Sequence, residues 1–354
     1  MISIISDNNG FKQLKETWDT IYYQDNNAKI FQSFDYNYIS WNTICSKTKG
    51  HRLYILVHHK SEGSIECDAI FPFYIDKSSS LRFINDIHTD ICNCIISDEV
   101  KNIYDLIYDL YLFIDKDPNI KRVFLDNLPS TSPLSTYLKV FKRNAFFFSQ
   151  TEHSYINIPK SDDPIQTMTH LKAKNRKNLK DKYKECKDLY FKIYNNISGD
   201  KYPKNEIVDL MNDMILHKIR SKNYFTYEML KLWEELYLSS LVEIAILYKD
   251  SNPVSIGIIF YDSSKYVAIR WIVLYKDVKY NMLNYIMHII SKAKQNNITI
   301  DFGRGAYDYK ISNFKPKIEN LYRLMYSKTL LGNIYILCKI NLSHIRKTIS
   351  VIKK

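Results

Sequence analysis

The sequence predicts a mixed α/β (α+β) protein built from two units that share one order of elements. Its 354 residues exceed a typical single domain. Hydropathy periodicity gives the order helix, helix, three strands, helix and strand twice along the chain. Three consecutive strands with short connections are expected to pair antiparallel, whereas a strand–helix–strand step requires a parallel pair. Each unit is therefore expected to be a mixed, mostly antiparallel sheet flanked by helices.

The first half, residues 1–160, begins with two amphipathic helical patterns and continues with strands. Apolar residues three or four positions apart predict the helices, and short alternating or continuous apolar runs predict the strands. The predicted elements are helices at Phe11–Tyr23 and Asp35–Cys45, strands at Arg52–His58, Asp68–Ile75 and Leu81–Asp86, a helix at Asn102–Phe113, a strand at Arg122–Asp126, a helix near Pro133–Phe141 and strands within Ala145–Ile158.

The second half, residues 161–354, repeats this order after a predicted linker at Pro159–Thr169. Its predicted elements are helices at His170–Lys187, Lys204–Arg220 and Thr226–Leu238, strands at Leu189–Tyr194, Val242–Tyr248, Val254–Tyr261 and Tyr266–Leu274, a long helix at Asn281–Asn296, strands at Ile298–Phe302 and near Leu321–Tyr326, and a C-terminal helix. A binding cleft is expected at the junction of the two units, where ligand sites are common.

Composition excludes some functions and favours an anionic partner. The chain has only 8 glycines, and neither G-x-G-x-x-G nor G-x-x-x-x-G-K-[ST] occurs, which argues against dinucleotide and P-loop nucleotide binding. The formal net charge of +12 favours nucleic acid, a membrane surface or a phosphate-bearing small molecule as partner. A codon bias towards Lys and Asn would produce the same excess of charge.

Cysteine usage and hydropathy bear on location. The six cysteines show neither zinc-ligand spacing nor a C-x-x-C pair, so no metal is expected. Met1–Gly10 lacks the features of a signal peptide, and the longest apolar runs are only strand-sized. We therefore expect a soluble cytoplasmic protein. The basic segment Asn333–Lys354 carries apolar residues on one helical face, which suits either packing against the protein or peripheral contact with the inner face of a membrane.

The most informative segment is Ile298–Lys310, which reads ITIDFGRGAYDYK. Two of the few glycines fall here, and glycine at the end of a strand permits a positive φ and the close approach of a ligand. A carboxylate, a guanidinium, two phenols and an ammonium follow within ten residues. An acid–base or phosphate-binding site needs such groups, although Asp301 and Arg304 would also suit a tight turn in which they pair with each other.

Motifs distributed over residues 10–330 resemble one superfamily in their order. The element order and the ending D-F-x-x-G-x-x-x-Y-K resemble the GNAT acyltransferases, in particular the CelD-like branch related to the FemAB peptidoglycan aminoacyltransferases, which carry tandem GNAT-like domains. The further motifs that carry the resemblance are Phe31-Gln32-Ser33 with Trp41, Ala69-Ile70-Phe71-Pro72-Phe73, Leu81-Arg82-Phe83-Ile84, Thr89-Asp90 and Asn175-Arg176-Lys177-Asn178-Leu179.

The resemblance implies direct attack of an amine on an acyl-CoA thioester, with acetyl-CoA as the expected donor. In such folds the third and fourth strands separate around the thioester, and the pyrophosphate lies at the start of the next helix. The implied donor-binding residues are Trp271, Lys276, Lys279, Tyr280 and Asn281. Asn281 stands where glycine is usual, and Lys276 and Lys279 would compensate by charge. FemAB relatives use aminoacyl-tRNA, so that donor stays open.

Catalytic and acceptor-binding roles follow from residue type together with the resemblance. Asp301 is the predicted general base and Asp90 the second candidate. The other predicted site residues are Tyr309 and Tyr307, which would protonate the leaving thiolate or position a sugar, Arg304 and Lys310, which would bind acceptor phosphate or carboxylate, and His88, His217 and Arg176 on the acceptor side.

Three hypotheses about function remain open. The first is an acyl-CoA-dependent N-acyltransferase whose acceptor is a nucleotide- or lipid-linked amino sugar of a cell-surface polysaccharide precursor. The second is an aminoacyl-tRNA-dependent transferase, favoured by the net charge but weakened by the missing helical-hairpin insertion of the peptidoglycan members. The third is a non-catalytic GNAT-like binding module, favoured by the missing pyrophosphate-loop glycine.

Overall fold

A computed structural model describes residues 1–61, 66–136, 145–186, 188–221, 224–262, 267–275, 281–338 and 340. The chain divides into two compact units. Unit 1 comprises Met1–Thr151 together with the residues from Asn320 onward, and unit 2 comprises Glu152–Glu319. Unit 2 is therefore an insertion into the chain of unit 1.

Unit 1 combines helices with two sheets. Its elements are β1 (Ile2–Ile5), α1 (Asn8–Gln13), α2 (Lys15–Gln24), α3 (Phe34–Thr43), β2 (Arg52–Leu53), β3 (Ile55–His59), β4 (Cys67–Phe71), β5 (Phe73–Ile75), β6 (Ser80–Phe83), β7 (Ile95–Ile96), α4 (Ile103–Lys116), β8 (Arg122–Pro129), α5 (Pro133–Thr136), the start of β9 (Phe146–Ile158) and the end of β15 (Lys317–Ser327). One sheet has the order β1-β3-β4-β7, and in the other β15, β8, β6, β5 and β2 are neighbours in that order.

Two predicted strands of unit 1 are divided between these sheets. β2 pairs with β5, whereas β3, only two residues after β2, pairs with β4. Pro72 separates β4 from β5, and proline has no N–H to continue a ladder. The backbone carbonyl of Pro72 instead accepts a hydrogen bond from the Ile84 N–H at 2.9 Å. The periodicity predicted these strands correctly. It did not predict that each is divided between two sheets, because a change of sheet leaves the pattern of apolar residues unaltered.

One of the apolar cores of unit 1 lies between α4 and its sheets. Asn102 caps α4, because its side chain accepts hydrogen bonds from the N–H groups of Tyr104 and Asp105. The apolar face of α4 packs into one cluster with residues from β6, β8 and β15, among them Leu81, Val123 and Leu324. The strand that follows unit 2 in the chain thus completes the core of unit 1.

Unit 2 contains one mixed sheet with helices. Its elements are the end of β9, α6 (Ala173–Lys184), β10 (Leu189–Tyr194), α7 (Lys204–Leu216), α8 (Tyr227–Leu238), β11 (Val242–Lys249), β12 (Asn252–Asp262), β13 (Val267–Tyr275), α9 (Asn281–Ser291), β14 (Ile298–Arg304), α10 (Asp308–Phe314) and the start of β15. Neighbouring strands follow the order β10-β11-β12-β13-β14-β9. Only the β13–β14 pair is parallel among the strand pairs described in this unit.

The mixed α/β class and the predicted strand directions are confirmed. β6, α4 and β8 form a strand–helix–strand step with a parallel strand pair, and so do β13, α9 and β14. The antiparallel run β11-β12-β13 is also as predicted. Within the described ranges, no helix combines the length and apolar content needed to cross a bilayer.

The two faces of the unit 2 sheet differ where β14 meets β9. Ile156 and Ile158 join Ile298 and Ile300 in an apolar core that also contains the buried side of α9. Side chains alternate along a strand, so the intervening residues point to the opposite face. On that face the Thr299 hydroxyl donates a hydrogen bond to the Asn157 side chain at 2.9 Å. The polar face of β9 and β14 carries the candidate site.

Candidate functional site

An opening begins where β13 and β14 cease to pair. Their parallel register covers three pairs and ends at Ile269 opposite Asp301. Beyond that point β13 continues to Tyr275 alongside β12, whereas β14 continues to Arg304 alongside β9. Beyond the fork, β13 still pairs with β12 and β14 still pairs with β9, but β13 and β14 no longer pair with each other. Asp301 therefore lies at the closed end of a fork in the sheet.

This fork corrects one expectation drawn from the resemblance. The third and fourth strands of the second half, β12 and β13, were expected to separate, but they pair from Ser255–Tyr275 to Asp262–Val267. They are antiparallel neighbours with a short connection, which holds them together. The separation lies between the fourth and fifth strands, β13 and β14, which are joined through α9. The expected position of the opening was wrong by one strand.

Asp301 is a buried carboxylate bonded to His153 and to the backbone of Gly303. It is 2% exposed, and its Oδ2 lies 2.7 Å from the Nε2 of His153 on β9. Its Oδ1 accepts a hydrogen bond from the Gly303 N–H at 2.7 Å. His153 is itself 5% exposed. A buried carboxylate held against an imidazole orients the ring and stabilises its protonated form.

The chain turns sharply after Asp301, at two glycines with positive φ. Gly303 has φ +69° and Gly305 has φ +84°. Glycine at 305 is required by the backbone angle, whereas a Cβ there would meet only the exposed ring of Tyr307, with Cε2 at 2.7 Å. The Gly305 N–H donates to the Glu152 carbonyl at 2.7 Å, which ties the turn to β9.

Lys310 holds this turn from the first turns of α10. The fully buried ammonium donates hydrogen bonds to the carbonyls of Gly303, Arg304 and Gly305, at 3.4, 3.0 and 2.6 Å respectively. It also lies 5.1 Å from the ring centroid of Tyr307. Ammonium–carbonyl hydrogen bonds of this kind fix the backbone carbonyls of the turn. The predicted role of Lys310 in anion binding stays a prediction.

Aromatic residues border the Asp301–His153 pair. The Tyr155 ring stacks on His153 with centroids 5.6 Å apart, and its hydroxyl donates to Glu319 at 2.8 Å. Burial, reinforced by the hydrogen bond to Glu319, raises the pKa of Tyr155 to about 12. Tyr307 is 61% exposed and stacks on Tyr309 with centroids 6.3 Å apart. The exposed Tyr307 therefore lies beside the turn that Lys310 holds.

The predicted donor-binding residues are only partly described. Trp271 is the extra residue of a bulge, because Ile258 pairs with Ile272 and Ile259 with Arg270, and its ring lies 5.0 Å from Phe260. Asn281 is the first residue of α9, as predicted. Lys276, Lys279 and Tyr280 lie outside the described residues.

Two further predicted residues of unit 2 lie on helices. The guanidinium of Arg176 donates to the Leu171 and Met168 carbonyls just before its own helix, α6. His217 is exposed and follows the last residue of α7. Neither residue contacts the Asp301–His153 pair through a described hydrogen bond. Their acceptor-binding roles stay predictions.

The predicted residues of unit 1 belong to a short loop between β6 and β7. His88 is half-buried, and its N–H donates to the Asn85 carbonyl at 3.0 Å. Asp90 is 9% exposed. Beneath them Thr89, Tyr36 and Asn85 form a buried hydrogen-bond network. In the described part of the chain, no three His, Cys, Asp or Glu side chains are grouped as metal ligands would be.

Comparison by structure finds solved proteins with the same fold, whereas comparison by sequence finds no match. The sequence matches no known family model and no curated protein. L-PGS from Bacillus licheniformis aligns with a TM-score of 0.56 at 13% identity, covering 91% of this chain and 95% of that one. FemX aligns with a TM-score of 0.58 at 9% identity, covering 95% and 99%. The fold is GNAT-like and related to that of FemAB proteins.

A third structure has the same fold and no assigned function. It is a conserved protein from Bacteroides thetaiotaomicron, with a TM-score of 0.58 at 10% identity over 92% of this chain and all of that one. Identities this low establish the fold alone. The fold does not determine the function of this chain, which depends on the side chains of its site.

Sequence reasoning missed His153. The segment reads Glu152-His153-Ser154-Tyr155-Ile156, and its alternation does predict a strand with His153 and Tyr155 on the polar face. The partner carboxylate lies 148 positions further along the chain, and nothing local connects the two. A histidine on the polar face of a predicted strand is the signal that could have identified it.

Proposed function

We propose that the chain is an acyltransferase in which unit 2 performs the chemistry. One observation carries the proposal: β13 and β14 separate at Ile269 and Asp301, and a buried carboxylate–imidazole pair lies at the closed end of the fork. Strands that separate can present backbone N–H groups to the gap between them, where such groups suit a developing oxyanion. An extended thioester or ester would enter between the strands.

The Asp301–His153 pair would accept the proton of the attacking amine. An amine must lose a proton as it becomes an amide, and an imidazole is the side chain best matched to that transfer near neutral pH. Asp301 would orient His153 and stabilise the imidazolium that forms. This assignment extends the prediction of Asp301 as base to a pair, and it leaves Asp90 as the alternative carboxylate.

Anion binding is assigned to Arg304 in this proposal. Lys310 donates to three carbonyls, and a phosphate could reach its ammonium only by replacing them. Arg304 is half-buried, lies directly after the turn glycine Gly303 and pairs with His153 in the strand register. Tyr309 or the exposed Tyr307 would protonate the leaving group or position a sugar.

The donor and acceptor we propose first are acyl-CoA, with acetyl as the acyl group, and a nucleotide- or lipid-linked amino sugar. Both follow from the resemblance of the motifs to the CelD-like branch. An aminoacyl-tRNA-dependent transferase is the second candidate. It is favoured by the likeness in fold to FemX and by six surplus positive charges between Lys172 and Lys187.

Ligand-induced stabilisation separates the two donors. We expect acetyl-CoA or free CoA to raise the melting temperature of the protein, since a ligand that binds only the folded state stabilises it by mass action. Stabilisation by bulk tRNA that weakens with added salt, without a response to CoA, would instead support the second candidate. A protein that responds to neither and transfers no acyl group would be a binding module, and the proposal would fail.

Substitutions within the pair test the mechanism. Asp301→Asn and His153→Gln should each lower kcat by on the order of 10²–10⁴ once a donor is known, because each removes general-base assistance. Asp308→Asn is the matched control, since Asp308 is an exposed aspartate seven residues further along the chain. Circular dichroism verifies that each variant is folded. Full activity in a folded Asp301→Asn variant would remove the pair from the mechanism.

A further inference from the structure

A short helix after β15 presents an apolar surface to solvent. Residues 330–338 are helical, and one side of this helix rests on unit 1. Ile336 is fully buried in a cluster with Phe124 and Met325. Asn333 is bonded twice to the backbone of Ser327, at 2.8 and 3.0 Å, which fixes the start of the helix. The orientation of the helix is therefore set by its buried side.

The outward side consists of apolar residues throughout. Exposure reaches 77% for Leu330 and 79% for Leu331 and is near one half at Ile334, Tyr335 and Leu337. At about 100° per residue these side chains, with the exposed Cys338, cover an arc of roughly 160°. Helices on the surface of soluble proteins normally carry polar residues there. A contiguous exposed apolar surface marks an interaction site.

Basic residues accompany this surface in the sequence and, at Lys121, Arg122 and Lys328, in the structure. Between Lys328 and Lys354 the sequence holds six Lys or Arg residues and no Asp or Glu. In the structure, the guanidinium of Arg122 lies 5.9 Å from the Tyr335 ring, and the N–H of Lys328 donates to the carbonyl of the exposed Lys121. The acidic neighbour Asp117 is buried and bonded to Asn119. The apolar surface is therefore bordered by cations.

We propose that this surface docks onto an anionic lipid membrane. Leu330, Leu331 and Ile334 would enter the boundary between headgroups and acyl chains, and the basic residues would contact the headgroup phosphates. A second copy of the chain is a poorer occupant, because a symmetric contact would bring two segments of the same charge together. The inference rests on unit 1 alone and is independent of the proposed acyl transfer.

A fluorescence measurement tests the proposal on the intact chain. Five of the six cysteines are buried and Cys338 is exposed, so an environment-sensitive thiol dye is directed to the outward face of the helix. We expect its emission to shift to the blue with vesicles of phosphatidylcholine and phosphatidylglycerol, and much less with phosphatidylcholine alone. Absence of a shift with the anionic vesicles, or an equal shift with both, would overturn the proposal.

Substitutions identify the surface in a vesicle co-sedimentation experiment with unlabelled protein. Leu331→Glu should weaken partitioning to anionic vesicles by on the order of tenfold or more, because it replaces an inserted apolar side chain by an anion. Leu331→Gln should act in the same direction and serves if the first variant does not fold. Ile197→Glu is the matched control, since Ile197 is 78% exposed and lies in unit 2.

Light scattering tests the alternative that this surface mediates self-association. Concentration-dependent dimers that Leu331→Glu dissociates, in a protein that does not bind anionic vesicles, would assign the surface to self-association instead. Vesicle binding that persists unchanged in Leu331→Glu would place any membrane contact elsewhere on the chain. Either result contradicts the proposal, whereas loss in Leu331→Glu with retention in Ile197→Glu supports it.

Discussion

Asp301 shows how far a single residue can be interpreted from its neighbours in sequence. Its position at the end of a strand, just before two glycines, predicted a site there, and the hydrogen bond from Gly303 is of that local kind. The contact with His153 depends on the pairing of β14 with β9, which joins distant parts of the chain. Local chemistry was therefore predictable, whereas the identity of the partner was not.

The contribution of the Tyr155 hydroxyl, which lies near Asp301, to stability can be tested through its dependence on pH. Its pKa is raised to about 12, mainly by burial, so the folded protein keeps the phenolic proton longer than the unfolded chain does. The protonated hydroxyl therefore contributes fully to the free energy of unfolding below the ordinary pKa of about 10, and this contribution is lost as the pH rises from 10 to 12. Tyr155→Phe should cost about 1 kcal/mol of unfolding free energy at pH 7.

The measurement is urea unfolding of both proteins at a series of pH values. The difference between wild type and Tyr155→Phe should stay constant up to about pH 10 and shrink above it. Tyr23→Phe serves as control, because Tyr23 is 64% exposed. A difference that does not change across this range would mean that the hydroxyl of Tyr155 is not protected by folding.

At the scale of elements, the periodicity located most helices and strands and misplaced their ends. The predicted strand Ile298–Phe302 extends to Arg304, and the following short helix α10 was not predicted. The segment Asp308–Phe314 is too short to show a helical period, and its start depends on the turn that Lys310 holds. The division of strands at Pro72 was missed for a similar reason, since the sheet to which a strand belongs depends on the strands that pair with it.

The contact between β12 and α9 explains one of the few glycines. A Cβ on Gly257 would lie 2.4 Å from Cε1 of Tyr285, whose ring is fully buried and whose hydroxyl donates to the Ala245 carbonyl. Gly257→Ala should therefore displace α9 and lower the free energy of unfolding by about 1–3 kcal/mol. Denaturant unfolding followed by circular dichroism measures this loss.

A second substitution verifies the cause of that loss. Combining Gly257→Ala with Tyr285→Leu makes room for the added methyl group, so the double variant should lose less stability than the sum of the single ones. Additive losses would show that the ring of Tyr285 is not what excludes a side chain at position 257. The sequence alone indicated only that glycine is rare, and not which helix approaches each one.

For the whole molecule, the decisive feature is the return of the chain to unit 1 after residue 319. The repeated pattern predicted two consecutive units and gave no sign of this return. The pairing of β15 with β8 was not predictable, because the pairing residues Leu324 and Leu125 are separated by all of unit 2. Arg323 and Asp126 reinforce the same pair of strands with a two-point ion pair.

The returning strand should be essential to the stability of unit 1. Leu324 is fully buried, so Leu324→Ala should lower the free energy of unfolding by about 2–5 kcal/mol. Leu330→Ala, six residues later at a position that is 77% exposed, should change it by less than about 0.5 kcal/mol. Thermal unfolding by calorimetry compares the two, and equal effects would contradict the assigned core.

The inserted position of unit 2 also bears on how the protein is made. A ribosome releases β8 long before β15, so the nascent chain exposes the unpaired edge of β8 throughout the synthesis of unit 2. Unit 2 has all of its strands once Glu319 has emerged, and unit 1, although begun first, is completed last. Chaperone demand during translation should therefore be concentrated on the N-terminal part of the chain.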